Sequence, residues 1–273
     1  MLGQDAVSAA SAAGVECVAL ARQELDITDG RAVDTALADA RPDAVLNCAA
    51  WTDVDGAESA LDAAIAVNAT GAANVARAAA ATGAWTVHIS SDYVFDGSKR
   101  EPYMESDQTG PLSAYGRSKL AGEEAVASAA PGSHTIVRSS WLFGAGGRCF
   151  PRTILGLASE RDELRVVDDQ IGCPTFTGHL AQALMTIATG TAPLGIVHVA
   201  GSGSCSWYEL AREIVRIAGL GCEVKPCSTA EMPRPAPRPP YSVLGTERGG
   251  EAPRLPHWQR GLADYMALVV SAR

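Results

Sequence analysis

The chain has 273 residues, of which 47% are hydrophobic and 5% aromatic, and its net charge is −9. This length suits one large domain or a main domain with a smaller lobe. An acidic chain without a basic stripe is a poor nucleic-acid binder, because phosphate contacts need clustered Lys and Arg.

The expected compartment follows from the termini and the cysteines. The N-terminus lacks the basic and apolar regions of a signal peptide, and no apolar run reaches the roughly 18–20 residues of a membrane span. The seven cysteines are odd in number and form no CxxC pair. This pattern predicts reduced thiols in a cytoplasmic protein, with neither a disulfide framework nor a zinc or other metal site.

The first two-thirds of the chain alternates helices with short apolar strands. The predicted helices cover 4–14, 30–40, 59–82 and 113–129. The predicted strands cover 15–21, 43–50, 85–90 and 134–140. This alternation favours an α/β fold with a doubly wound parallel sheet, covered by helices on both faces.

After about residue 145 the alternation is less regular. We predict further helices at 151–161, 177–189, 206–219 and 257–271, and strands at 163–169 and 195–200. The proline-rich segment 232–240 is incompatible with a helix or a central strand, and is typical of a linker or an exposed polyproline segment.

The sharpest local signal is Tyr115-Gly-Arg-Ser-Lys119, which opens a predicted helix. A spacing of four residues puts Tyr115 and Lys119 on one helix face. A nearby ammonium is expected to lower the pKa of the tyrosine, which suits general acid–base chemistry. The same spacing also occurs on ordinary surface helices.

Two further segments follow buried strands. Ser91 and Asp92 end the strand at 85–90, where open α/β sheets bind ligands, although Ser and Asp equally suit a strand-ending turn. The small residues of NCAAWTDVDGAE (47–58) allow a cofactor to approach closely, or allow tight helix–sheet packing.

Seven motifs stand together in the order found in one family. They are NCAAWTDVDGAE, VNATGAANVA, HISSDYVFDG, SAYGRSKLAGEEAV, RSSWLFG, VVDDQIGCPT and PRPAPRPPYSVLGT. They cover nearly the whole chain, which resembles the dTDP-4-dehydrorhamnose reductases, a family of extended short-chain dehydrogenases. The resemblance implies an oxidoreductase of dTDP-rhamnose biosynthesis, with a dinucleotide-binding Rossmann domain at 1–145. Residues 146–273 would form mainly a substrate-binding lobe, with part returning to the Rossmann domain.

The resemblance also implies roles for individual residues. The catalytic set is Tyr115, Lys119 and Ser91, with Ser91 in a place that is usually Thr. The cofactor-binding set is Met1, Leu2, Gly3, Arg22, Asp26, Ile27, Ala49, Ala50, Thr52, Tyr115 and Lys119. The substrate-binding set is Ser91, Asp92, Trp141, Asp169, Gln170, Pro174, Thr175 and Arg238. The implied reaction is transfer of hydride from NAD(P)H to carbon 4 of a keto sugar, with Tyr115 as the proton donor.

Arg22 bears on the choice of cofactor. It follows the predicted strand 15–21, where an acidic residue would favour NAD. An arginine there could meet a 2′-phosphate or face solvent, so the sequence favours NADPH over NADH.

The start of the sequence departs from the family. Family members begin with an apolar strand and a GxxGxxG turn, and here only Gly3 matches the last glycine. We therefore expect roughly a dozen further residues upstream, the size of one strand and its turn.

Two alternative functions stay open, as does the assembly. The chain could be a 4-ketoreductase for another nucleotide deoxysugar. It could also be a non-catalytic relative resembling a methionine adenosyltransferase regulatory subunit, which the absent glycine turn favours and the intact Tyr115, Lys119 and Ser91 disfavour. A homodimer is the candidate assembly.

Overall fold

The structure is a computed structural model and describes residues 1–270. Its α-helices are Leu2–Ala12 (α1), Gly30–Ala40 (α2), Leu61–Ile65 (α3), Ala72–Thr82 (α4), Ala114–Ala129 (α5), Phe150–Glu160 (α6), Thr177–Thr189 (α7), Trp207–Ala218 (α8) and Trp258–Val270 (α9). A π-helical segment, Ala66–Gly71, joins α3 to α4. The last residue of the predicted helix 257–271 lies outside the described residues.

The strands are shorter than the helices. They are Ala44–Asn47 (β1), Trp85–Ser91 (β2), His134–Ser139 (β3), Leu142–Phe143 (β4), Glu163–Val167 (β5), Ile171–Gly172 (β6), Thr175–Phe176 (β7), Gly195–His198 (β8), Cys205–Ser206 (β9) and Glu223–Cys227 (β10). Short 3-10 helices cover Gly56–Glu58, Asp92–Val94 and Thr229–Glu231.

The central sheet has the order β1-β2-β3-β8 within the described residues, and all its strands are parallel. Alternate side chains of each strand point to opposite faces. On one face Val87 and Val137 pack with α1 and α7, and on the other Ile136 packs with α4 and α5. This confirms the predicted α/β fold with helices on both faces of a parallel sheet.

The prediction of a strand at 15–21 is wrong. This segment has no regular structure, and Val18 and Leu20 are 67% and 47% exposed. It borders a groove of about 1440 Å3 whose opposite wall is β1, the edge strand of the sheet. A strand forms only where a neighbour pairs with its backbone N–H and C=O groups, and the described residues provide no such neighbour for this segment.

A second hydrophobic core lies outside the central sheet. It joins α6, α8 and α9 with β5 and with the short strands β4 and β7. Strand β10, which the sequence analysis did not assign, pairs with β5 in a two-stranded sheet, so Pro226 stands in an edge strand, where a proline is tolerated. The boundary near residue 145 stays a prediction. No helix among residues 1–270 is long and apolar enough to cross a membrane.

Candidate active site

Helix α5 carries Tyr115 and Lys119 across the end of β2. Ser113 caps the helix, accepting a hydrogen bond from the backbone N–H of Gly116 at 3.1 Å. The helix packs so closely that a Cβ on Gly122 would lie 2.1 Å from the carbonyl oxygen of Asn68. Glycine at this position therefore sets how deeply α5 lies against its neighbours.

Tyr115 and Ser91 meet at the carboxyl end of β2. The Ser91 hydroxyl donates a hydrogen bond to Asp92 at 3.0 Å and accepts one from the Tyr93 N–H at 3.2 Å, and the Tyr115 ring lies edge-on to the Tyr93 ring with centroids 5.8 Å apart. Burial raises the pKa of Tyr115 to about 12, while the nearby Ser91 hydroxyl acts in the opposite direction. The expectation that Lys119 lowers the pKa of Tyr115 is therefore wrong for this structure.

The direction of the Lys119 side chain explains this difference. Its ammonium donates a hydrogen bond of 2.6 Å to the carbonyl oxygen of Ile89, and the side chain is buried. Burial lowers the pKa of Lys119 to about 8, against the attraction of the Glu123 carboxylate. Helical spacing makes Lys119 a neighbour of Tyr115, but tertiary contacts decide which group it binds.

Asp92 is surrounded by three serine hydroxyls. Its carboxylate accepts hydrogen bonds from Ser91 at 3.0 Å, Ser140 at 3.0 Å and Ser242 at 2.6 Å. Burial raises the pKa of Asp92 to about 6, although the three hydroxyls favour its charged form. Three distant parts of the chain therefore meet at one carboxylate beside Tyr115.

Four of the predicted substrate residues follow β3 and β5. Trp141, next to Ser140, has a φ of 47°. Asp169 accepts hydrogen bonds from the Thr229 N–H and hydroxyl, and Gln170 donates one to the same hydroxyl at 2.9 Å. The Thr175 hydroxyl is buried, donates to the carbonyl oxygen of Cys173 and accepts from a backbone N–H, so its polar atom is used internally.

Pro174 and Arg238 complete the predicted substrate set. Pro174 is buried, and its carbonyl oxygen would lie 2.2 Å from a Cβ on Gly201. The Arg238 guanidinium forms a bidentate ion pair with Asp55, at 2.7 and 2.9 Å. This pair lowers the pKa of Asp55 and fastens the proline-rich segment to the loop after β1.

The predicted cofactor residues gather mostly along the groove between 15–21 and β1. Those that line it are Met1, Gly3, Arg22, Asp26, Ile27, Ala49 and Ala50. The Asp26 carboxylate accepts hydrogen bonds from the Thr28 N–H and hydroxyl, which lower its pKa. Leu2 instead is buried in the core beside the sheet, and Thr52 is exposed outside the groove lining.

Sequence reasoning missed several residues that build this site. Ser140 and Ser242 donate hydrogen bonds to the Asp92 carboxylate. The Asn68 side chain accepts a hydrogen bond from the Trp51 N–H at 2.8 Å and donates one to Ser118 on α5. All of them lie within segments quoted for the resemblance, yet only the folded chain shows which groups they bind.

A buried ion pair connects two of the elements that form the site. Arg138 on β3 donates to both carboxylate oxygens of Glu123 on α5, at 2.8 and 2.6 Å, and Ser90 donates to the same carboxylate at 2.5 Å. Both charged side chains are almost completely buried. The pair therefore links α5 to β3, the strand that Ser140 and Trp141 follow.

In the part of the chain that the structure describes, no three His, Cys, Asp or Glu side chains are grouped as metal ligands would be. The cysteines there are all unpaired.

The chain is similar to known proteins over nearly its whole length. Residues 1–270 match the family described as the RmlD substrate binding domain. The dTDP-4-dehydrorhamnose reductase of Streptomyces griseus is 44% identical over 271 residues, covering 97% of this chain and 89% of that protein. The dTDP-4-keto-6-deoxy-D-glucose reductase of Streptomyces niveus is 40% identical, covering 98% of this chain and 94% of that protein.

Solved structures agree with this assignment. The crystal structure of dTDP-4-dehydrorhamnose reductase from Bacillus anthracis in complex with NADP has a TM-score of 0.93 and 37% identity. The alignment covers 98% of this chain and 95% of that one. Sequence and structure together show that the chain belongs to the RmlD substrate binding domain family of dTDP-4-dehydrorhamnose reductases.

Proposed function

We propose that the chain is an enzyme that reduces dTDP-4-dehydrorhamnose to dTDP-L-rhamnose with NADPH. The observation that carries the proposal is the placement of Tyr115 beside Ser91 at the carboxyl end of β2, with Lys119 one helical turn further along α5 and bonded to the Ile89 carbonyl oxygen. A proton donor and a hydroxyl that face the same point are what carbonyl reduction requires of a protein.

NADPH fits the groove beside β1. Met1 and Gly3 at the start of α1 line it, as do Ala49 and Ala50 after β1, whose small side chains leave room for a ligand. Arg22 lines the same groove and would meet the 2′-phosphate that distinguishes NADPH from NADH. When bound, NADPH supplies the hydride.

Tyr115 supplies the proton in this proposal. Its pKa of about 12 keeps the phenol protonated at neutral pH. As the carbonyl oxygen of the substrate gains charge, the Tyr115 hydroxyl transfers its proton to that oxygen, and the Ser91 hydroxyl turns from Asp92 to donate a hydrogen bond to it. Lys119, whose buried ammonium donates to the Ile89 carbonyl oxygen, would hold the nicotinamide ribose and so position the cofactor.

The substrate would lie next to Asp92 and Trp141. The segments around it would contain the other predicted substrate residues, Asp169, Gln170, Pro174 and Thr175. Arg238 would bind the pyrophosphate, because its planar guanidinium suits bidentate phosphate contacts. Its present partner is the Asp55 carboxylate, so binding would exchange one anion for another. The homodimer and the cytoplasmic location stay predictions.

Reduction of another 4-keto sugar is the second candidate, which the likeness to the Streptomyces niveus reductase favours. A purely regulatory role is disfavoured, since a binding module has no need of Tyr115, Lys119 and Ser91 together.

Steady-state NADPH oxidation tests the proposal. We expect turnover with dTDP-4-dehydrorhamnose to exceed turnover with dTDP-4-keto-6-deoxy-D-glucose. Ser91→Ala should lower kcat, while the control variant Ser98→Ala, which removes the hydroxyl of an exposed serine, should leave kcat unchanged. The reverse preference would establish the second candidate. Absence of turnover with either sugar by folded protein would contradict both.

A further inference from the structure

The indole rings of Trp141 and Trp207 stack face to face. Their centroids lie 3.5 Å apart and their planes differ by 4°. Trp141 has a φ of 47°, in the left-handed region that residues other than glycine rarely adopt. Such a conformation persists only where the surroundings hold it, and it clusters at ligand sites.

Gly172 on β6 accommodates the Trp141 ring. A Cβ at Gly172 would lie 2.4 Å from Cε2 of Trp141, so any larger residue would displace the indole. The Trp141 carbonyl oxygen accepts a hydrogen bond from the Thr175 N–H at 3.2 Å, which fixes the backbone beside the ring. Backbone and glycine therefore define where the indole lies, and Trp207 covers its plane.

Trp207 is itself held firmly. It is the first residue of α8, whose start is fixed by a capping box between Ser206 and Glu209. Its indole N–H donates to the Gln170 side chain at 3.2 Å, and Gln170 donates in turn to Thr229 at 2.9 Å. The ring therefore connects Trp141 to the segment after β5.

We propose that Trp207 is a positioning residue, which holds Trp141 in the orientation that the sugar-nucleotide site requires. The inference rests on the proposed function, in which Trp141 contacts the substrate. Trp207 acts through the Trp141 ring and through Gln170. Its loss therefore weakens substrate binding, while proton transfer by Tyr115 and NADPH binding in the groove beside β1 are preserved.

Steady-state kinetics test this role. An aromatic pair contributes enough for removal of one ring to raise the KM for dTDP-4-dehydrorhamnose by roughly twofold to tenfold in Trp207→Ala. We expect kcat and the KM for NADPH to stay within about twofold of wild type, since the Trp207 ring contacts Trp141, Phe150 and Gln170 and its removal leaves the proton donor in place. Trp207→Phe, which keeps an aromatic ring, should recover most of the substrate affinity.

Tyr208→Ala is the matched control. Tyr208 is the next residue of α8, is also partly buried, and lies under the Arg212 guanidinium instead of against Trp141. We expect wild-type KM values from it. If Trp207→Ala does not fold, Trp207→Leu keeps an apolar side chain without the stack and replaces it.

Circular dichroism detects the stacked indoles of Trp141 and Trp207 in the absence of substrate. Two stacked indoles give an exciton couplet, which Trp207→Ala and Trp141→Ala should both lose and Tyr208→Ala should keep. A lost couplet with an unchanged KM for the sugar nucleotide would overturn the positioning role alone. Absence of turnover by folded wild type that shows the couplet would overturn the proposed function, and with it this inference.

Discussion

Replacing Asp92 with asparagine should change how the stability of the protein depends on pH. Asp92 is 2% exposed, and its carboxylate is surrounded by the hydroxyls of Ser91, Ser140 and Ser242. Asparagine has nearly the same shape and can accept from one serine and donate to another. The substitution therefore removes the buried charge with little change in packing.

The size of the effect follows from the two pKa values. The pKa of Asp92 is about 6 in the folded protein, against an ordinary value of 3.8 for an unfolded chain. Because the folded value is raised, the stabilisation is complete below the unfolded pKa and is lost as pH rises through about 6. Proton linkage then removes about 1.4 kcal/mol of wild-type stability between about pH 5 and about pH 8.

Urea unfolding at these two pH values measures the effect. The free energy of unfolding of Asp92→Asn, relative to wild type, should rise by about 1.4 kcal/mol from about pH 5 to about pH 8. Asp96→Asn is the control: the pKa of Asp96 is lowered, so this carboxyl is ionised in both states throughout the range and its difference should stay constant. A constant difference for Asp92→Asn as well would refute the reasoning.

Three further predictions concern the support of the site. Glu123→Gln should lower the free energy of unfolding, measured with urea, by about 3–5 kcal/mol, because it leaves the Arg138 charge buried and uncompensated. A Glu123→Gln, Arg138→Met double variant that is no more stable than Glu123→Gln would argue against this. Gly122→Ala should lower the Tm and the activity together, since its Cβ would lie 2.1 Å from the Asn68 carbonyl oxygen; a wild-type Tm would show that α5 can move away. Arg238→Gln should raise the KM for the sugar nucleotide about tenfold at unchanged kcat, as loss of one charged phosphate contact implies; an unchanged KM would mean that Arg238 serves only its ion pair.

The sequence predicted best those features that depend on neighbouring residues. Helix α5 begins beside Ser113, close to the predicted start at residue 113, and α2 covers the predicted 30–40, after Asp29, whose carboxylate accepts from the N–H groups of Arg31 and Ala32. Capping and four-residue spacing are local properties, so a single sequence reveals them.

The sequence predicted least well those features that depend on distant partners. The apolar pattern of 15–21 suits a strand, but strand formation is a property of a pair, and this segment has no partner within residues 1–270. Strands of two residues, such as Leu142–Phe143, are too short to show periodicity. The contact between Arg238 and Asp55 joins residues 183 positions apart, and no local pattern announces it.

The most direct test of the central claim is single-turnover reduction of dTDP-4-dehydrorhamnose by NADPH-loaded protein, comparing wild type with Tyr115→Phe. The proposal predicts that wild type reduces the sugar, and that loss of the Tyr115 hydroxyl slows the chemical step by about 10²–10⁴-fold while NADPH still binds. Equal rates in the two proteins would contradict the assignment of Tyr115 as the proton donor.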